Sequence, residues 1–350
     1  MIAARKYVQG IKRYEAPLDG RRQKLRLDFN ENTQGPSPLV MEAVRQLPPN
    51  AYATYPEYCG LEAAFGDVLG VAGSHVAAFN GTDAAIRAIC AAYGEPGSEA
   101  LIATPTFGYY AACVQQHGMQ CVDVAYGADF AFPLQAFKQS LKAEPRLCFI
   151  CNPNNPTGTV LDTHTVMSLA RSAPATLFVI DEAYAEFSGV SVLPDAVNQP
   201  NMLVLRSLSS AFGLAALRVG VAVGHAQLLE SLRCVAGPYD LNMFAVVAAR
   251  AALADLPYVE SYVAEVRGAA EWTAAELRRR AVRHHVGGAN FMVVWPKREI
   301  SEVVEALNRG GVLVRNMDDH PLLEGSFRLT VGTREQMGRF MRLFASLIEE

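Results

Sequence analysis

The chain has 350 residues, 51% of them hydrophobic, and a formal net charge of −4. That length supports one large unit and a smaller one, each with its own core. The weak, dispersed charge argues against a nucleic-acid partner or an anionic membrane surface, and no apolar run reaches the roughly 18 residues of a transmembrane helix.

Residues 1–35 read as an extended arm with one short strand over 25–29. The opening residues lack the apolar core of a signal peptide. Helical patterns follow at 38–47 and 60–70. From 75 to 225, apolar runs alternate with helical stretches, and strands are expected at 76–79, 100–103, 120–124, 146–151, 177–180, 201–205 and 219–223. Nearly continuous apolar runs fit strands covered by helices on both faces. Their alternation with helices implies an α/β class with a mostly parallel, doubly wound sheet. A long helix is expected over 242–280, with a break at Pro257, because an interior proline kinks or ends a helix. Residues 281–350 read as a compact α+β unit: a strand at 291–295, a helix at 300–310, strands at 312–314 and 326–331, and a last helix at 334–349.

Seven scattered cysteines fit a reducing cytoplasm. Cys148 and Cys151 form a C-x-x-C inside an apolar run, where small core side chains explain them better than a redox or metal pair. His284 and His285 have no metal-ligand spacing and read as exposed loop. No metal site is expected.

Several segments stand out along the chain. Asn80-Gly81-Thr82-Asp83 is a small-residue turn before a helix, and a helix N-terminus offers free N–H groups to an anion. Ser207, Ser209 and Arg218 follow in Arg206-Ser207-Leu208-Ser209-Ser210-Ala211-Phe212-Gly213-Leu214, and Arg218 suits a charge-assisted contact. Asp181, in Asp181-Glu182-Ala183-Tyr184, ends a buried strand. Asn152-Pro153-Asn154-Asn155-Pro156-Thr157-Gly158 is a turn that presents Asn155, and Pro105-Thr106-Phe107-Gly108-Tyr109-Tyr110 places the aromatic Tyr110 near a strand end. Arg328, in Phe327-Arg328-Leu329-Thr330, is an arginine inside an apolar strand, costly without an anionic partner and suited to a bidentate carboxylate contact.

Taken in order, these segments resemble the class I/II pyridoxal-phosphate aminotransferases, nearest to the histidinol-phosphate aminotransferase branch. Asp28-Phe29-Asn30-Glu31-Asn32 and Thr54-Tyr55-Pro56 match further family segments, with Thr33 and Thr54 replacing a proline and an arginine. The matches run from about residue 25 to 333. The resemblance implies a fold-type-I transferase, with a large domain at 45–255 and a small one built from the arm (1–44) and residues 256–350. It implies pyridoxal 5'-phosphate, or its amine form pyridoxamine 5'-phosphate, as cofactor. Gly81, Thr82, Asp83, Ser207, Ser209 and Arg218 would hold the phosphate, Asp181 the pyridine nitrogen, Asn155 and Tyr184 the ring hydroxyl, and Tyr110 the ring face. Arg328, Asn30 and Tyr14 would hold an amino acid or amine. Tyr55 would reach the phosphate of a neighbouring subunit, which implies a homodimer.

Ser210 departs from the pattern. The family has there the lysine that tethers the coenzyme and moves the substrate proton. A serine hydroxyl can do neither, and none of the six lysines (Lys6, Lys12, Lys24, Lys138, Lys142, Lys297) lies in a site motif. Three readings stay open: a family enzyme with the lysine step impaired or altered, by natural change or by replacement; a diverged enzyme running another reaction in the old pocket, with or without the coenzyme; and a non-catalytic binding protein. The persistence of Asp181, Asn155, Tyr184, Arg218 and Arg328 weighs against the last. Asp318 and Asp319 would repel a phosphorylated substrate or else form a solvated loop, and Asp240 is a further change near the pocket.

Overall fold

The computed structural model describes residues 2–11 and 18–349. In chain order its elements are β1 (Leu25–Leu27), α1 (Pro38–Arg45), α2 (Cys59–Leu69), β2 (Val76–Asn80), α3 (Thr82–Tyr93), β3 (Glu99–Thr104), α4 (Tyr109–Gln116), β4 (Gln120–Ala125), α5 (Leu134–Leu141), β5 (Leu147–Cys151), α6 (Thr163–Ser172), β6 (Leu177–Asp181) and α7 (Ala185–Ser188). They continue with β7 (Met202–Ser207), β8 (Val219–Gly224), α8 (Ala226–Val235), α9 (Met243–Leu253), α10 (Leu256–Arg279), β9 (Arg283–Val286), β10 (Phe291–Trp295), α11 (Ile300–Arg309), β11 (Val312–Asn316), β12 (Phe327–Thr330) and α12 (Arg334–Glu349).

Seven strands form one sheet in the order β2-β8-β7-β6-β5-β3-β4. Neighbours from β7 to β4 run parallel, and β8 runs antiparallel to both β7 and β2. The second sheet has the order β1-β11-β12-β10-β9, so the short N-terminal strand pairs with β11 far along the chain. The expected α/β architecture is therefore present.

Side chains alternate across a strand, and this sorts the large sheet into two cores. Cys148 and Ile150 of β5, with Phe178 and Ile180 of β6, face one cluster. Leu147, Phe149 and Cys151, with Leu177 and Val179, face the other, which α3, α4 and α8 cover. Cys148 and Cys151 therefore lie on opposite faces of β5, which is buried throughout. Three-residue spacing on a strand separates two thiols rather than joining them.

Two expectations need correction. The helix over 242–280 is two helices, α9 and α10, separated at Ala254–Asp255. Pro257 falls in the first turn of α10, where its missing N–H costs no hydrogen bond, so it starts a helix rather than kinking one. His284 and His285 do not sit in an exposed loop. They belong to β9, paired with Val294 and Val293 of β10, and both are half-buried. The alternation was hard to see because neither face of this edge strand carries a run of large apolar residues.

α10 has 24 residues, about 36 Å at 1.5 Å each. Its buried stripe of Val259, Tyr262, Val263, Val266, Ala269 and Ala274 follows helical spacing. It packs on α7 beside the large sheet and on α12 and β9 of the small one, so it ties the two sheets together.

Candidate active site

Asp181, Asn155, Tyr184, Ser207 and Arg328 lie where the C-terminal ends of β5, β6 and β7 face the small sheet. Asp181 is the last residue of β6 and shares a face with Leu177 and Val179 by the two-residue period. α4 covers that face and brings Tyr110, whose hydroxyl donates to Asp181 Oδ2 at 2.7 Å. The Ala183 N–H donates to Oδ1 at 3.1 Å. Asp181 is 4% exposed, and burial pushes its carboxyl up from 3.8 to about 6 against the lowering effect of those two donors. Among the described residues no arginine or lysine pairs with it. The Tyr110 ring stacks on Phe149, with centroids 5.0 Å apart, and burial drives its hydroxyl well up.

On β7 the same alternation puts Ser207 on the Asp181 face and Arg206 on the other. Arg206 there reaches Glu182 at 3.3 Å and also pairs with Glu186. Ser207 is buried, and its Oγ accepts the Ser209 N–H at 3.2 Å. Ser210 is 7% exposed. Arg218 has a left-handed backbone (φ 56°) just before β8, and its Nη2 meets Asp83 Oδ2 at 2.8 Å. The guanidinium lies over the turn that starts α3. A Cβ on Gly81 (φ +76°) would come within 2.6 Å of it. A Cβ on Gly220 would meet Thr82 N at 2.6 Å, so two glycines let the turn, the arginine and β8 approach. The Asp240 carbonyl accepts from Asn80 beside this turn at 3.0 Å.

A second knot joins the sheets. Tyr184 Oη accepts from Asn30 Nδ2 at 3.0 Å and from Asn155 Nδ2 at 3.2 Å. Burial pushes the Tyr184 hydroxyl up to about 12, although nearby Arg328 and the Asn30 bond oppose it. Arg328 Nη1 donates to Asn155 Oδ1 at 2.5 Å, and Nη2 donates to the Asp28 carbonyl at 2.8 Å. Asn30 takes a positive φ of 56°, which asparagine tolerates better than most residues, and is held by Thr330 and Asn290. Asp28 is fixed in turn by Arg21, which grips it at 2.7 and 3.0 Å and reaches Glu31 as well.

Three partners escaped the sequence. Thr330 had a signal, two residues past Arg328 and so on the same strand face. Asn290 had none. Asn154, inside the matched turn, holds it to Thr106 and Pro105. Tyr55 lies apart from the knot, 70% exposed and stacked on Tyr239 at 4.1 Å. Tyr14 lies outside the described residues. Asp318 and Asp319 are exposed, and Asp318 accepts the Gly325 N–H at 2.6 Å. They lie in an exposed loop, where Asp319 lines a cavity together with Asp28 and Arg315. Of the described lysines, Lys6, Lys138, Lys142 and Lys297 are exposed, and half-buried Lys24 meets Asn308.

The donor set fits a phosphorylated pyridine. A buried carboxylate without a cation suits a protonated ring nitrogen, and a helix N-terminus beneath an arginine suits a phosphate. Asn155 and Tyr184 suit a ring hydroxyl. Each of these side chains is now satisfied by another of the chain, so a ligand would exchange internal pairs for its own.

Residues 22–344 match the family model for aminotransferase class I and II. The histidinol-phosphate aminotransferase of Moorella thermoacetica is 30% identical over 358 aligned residues, covering 99% of this chain and 92% of that protein. The one from Symbiobacterium thermophilum is 33% identical over 331, covering 93% and 91%. The solved structure of histidinol-phosphate aminotransferase from Sinorhizobium meliloti in complex with pyridoxal 5'-phosphate superposes with a TM-score of 0.91 at 23% identity, covering 99% of this chain and 97% of that one. An aspartate aminotransferase double mutant of Thermus thermophilus gives 0.80 at 21% identity, covering 98% and 100%. These structures share the fold-type-I architecture. The chain belongs to the class I and II aminotransferases, a family whose members use pyridoxal 5'-phosphate.

Proposed function

We propose that this chain binds pyridoxal 5'-phosphate or pyridoxamine 5'-phosphate without a covalent tether, together with an amino acid or amine. Ordinary transamination is impaired or altered because position 210 is a serine. Residues 45–255 form the coenzyme-binding unit in this reading, and 1–44 with 256–350 form the smaller one. The observation that carries the reading is Asp181: a fully buried carboxylate given two neutral donors and no cation.

When bound, the coenzyme supplies an electron sink at its pyridine ring. Asp181 would accept the ring N–H and keep the nitrogen charged. The free amides of Thr82 and Asp83 at the start of α3 would bind the phosphate, with Ser207, Ser209 and Arg218 closing over it. Tyr110 would turn its ring to the pyridine face. Asn155 and Tyr184 would hold the ring hydroxyl, and Arg328 would exchange Asn155 for the substrate carboxylate, with Asn30 beside it. Ser210 offers a hydroxyl that cannot carry a proton between carbon atoms near neutral pH. Loss of one positioned acid–base group costs about 10²–10⁴ in rate.

The reading extends to a homodimer in the cytoplasm. Exposed Tyr52, Tyr55 and Tyr239 support an aromatic contact surface, and Tyr55 would reach the second subunit's phosphate site. No helix among the described residues is long and apolar enough to cross a membrane.

Mass spectrometry after incubation with pyridoxal 5'-phosphate tests the reading. We expect the coenzyme mass in native spectra and its loss on denaturation. Ser210→Lys should retain it through denaturation after borohydride reduction. A native spectrum with no coenzyme, or a lysine that fails to react, would overturn the assignment.

A further inference from the structure

The small sheet ends at β1, the outermost strand in its order. Beside it lies a cavity of about 360 Å³, between the arm at residues 22–26 and one face of α12. Arg22, Lys24 and Arg26 line it from the arm, and Arg339 and Arg342 line it from the helix. Among the described residues Glu335 is the one acid in the wall. The whole chain has a net charge of −4, so five cations around one hollow run against its overall balance. Arg339 and Arg342 are three apart on one helix face, where like charges are destabilising.

These cations are largely unspent. Arg22 and Arg342 are exposed and make no ion pair among the described residues. Arg339 makes one long contact, with Nη2 donating to the Gly311 carbonyl at 3.4 Å. Lys24 meets the neutral Asn308. Arg26 is paired with Glu31 at 3.0 Å, but Arg21 also holds Glu31 through both carboxylate oxygens, at 3.0 and 3.1 Å. Turning Arg26 into the cavity therefore strands no carboxylate. In the same wall Thr33 Oγ1 is buried without a hydrogen-bond partner.

The lining also selects among anions. Guanidinium forks match phosphate oxygens in pairs. The volume equals about a dozen waters at roughly 30 Å³ each, which is room for linked phosphate groups rather than a single one. Among the described residues no aromatic side chain lines the cavity, and Leu25 is its one large apolar group. Nothing there could stack a nucleobase or bury an acyl chain. We propose that this groove binds a compact anion carrying two or more phosphate groups. The inference is independent of the coenzyme reading, because none of these cations belongs to the candidate active site.

Calorimetric titration with pyrophosphate at low salt tests it, with amide hydrogen exchange to locate the ligand. We expect one saturable site per chain, with protection at residues 22–26 and 335–342. Arg22→Gln and Arg342→Gln, on opposite walls, should each weaken binding by about tenfold, the low end for a hydrogen bond to a charged group. Affinity should also fall as salt is raised from about 0.05 to 0.2 M. Arg171→Gln removes the same charge from the last turn of α6 and should change affinity by less than about twofold, since salt screens a distant charge. Arg218→Gln removes the anion contact at the α3 turn and should leave the groove's affinity intact. The absence of saturable binding would overturn the proposal. So would binding that is lost in Arg218→Gln and kept in the groove variants, which would put the anion in the coenzyme site. Equal losses in Arg171→Gln and the groove variants would overturn it as well, because net charge alone would then account for the binding.

Discussion

The two ends of the candidate site solve one problem in different dielectrics. At the inner end, Asp181 is buried and met by neutral donors from Tyr110 and Ala183. At the outer end, Arg218 is paired with Asp83, and their side chains are 41% and 37% exposed. In each place a group of the protein occupies the contact that a ligand would make. The inner arrangement is costly, because a charge taken from water without a counter-charge is unfavourable. The outer one is worth little, because exposed ion pairs contribute roughly 0–1 kcal/mol. Binding energy for a ligand should therefore come mainly from relieving the inner end, and anchoring at the outer end should be weak and salt-sensitive.

The strongest way to break this contrast is Asp181→Asn. Without the charge, affinity for pyridoxal 5'-phosphate should fall by about 10- to 100-fold, the usual worth of a hydrogen bond to a charged group. Stability should move the other way. A carboxyl raised from 3.8 to about 6 in the folded state favours folding most below its ordinary range. That contribution is lost as pH rises through about 6. The two-unit shift corresponds to on the order of 3 kcal/mol. In ligand-free protein, denaturant unfolding should therefore turn in favour of the variant as pH is raised from about 4 to 7. A pH-independent difference would mean that Asp181 does not carry a buried charge.

Tyr110→Phe sharpens the same comparison with a smaller effect. The change keeps the stacking on Phe149 and removes the hydroxyl that occupies Asp181. The free protein should lose about 1 kcal/mol for the missing hydrogen bond, and the coenzyme should bind a few-fold tighter by fluorescence titration. Weaker binding would show that the hydroxyl serves the liganded state as well.

Much of this is legible in the sequence, for unequal reasons. Asp181, Asn155, Arg218 and Arg328 sit in local motifs, at strand ends and turns, and short-range patterns place them. The strands around Asp181 were legible as continuous apolar runs because helices cover both faces. What connects the motifs was not. That Tyr110 faces Asp181, that Arg328 holds Asn155, and that Thr330 and Asn290 hold Asn30 are contacts between residues 71, 173, 300 and 260 positions apart. No periodicity reports such pairings. β9 was missed because an edge strand with two histidines and two neighbouring glycines reads locally as a loop, and only its pairing with β10 shows otherwise.

The outer end makes the gentlest test, Asp83→Asn. Asp83 lies in the first turn of α3, where an acid also interacts favourably with the helix dipole. Losing both that interaction and the Arg218 pair should still cost only about 1 kcal/mol in unfolding experiments. Freed from its internal partner, Arg218 should bind inorganic phosphate about threefold more tightly, and this advantage should shrink as added salt shortens the range of the charges. One consequence reaches the inner end. The Asp83 carboxylate is among the groups that push the Asp181 carboxyl up. Its removal should therefore lower the Asp181 midpoint, seen as a shift to lower pH in the stability difference between Asp83→Asn chains with Asp and with Asn at position 181. If that midpoint stays fixed while phosphate binding tightens, the two ends are electrostatically independent and the outer carboxylate only competes for Arg218.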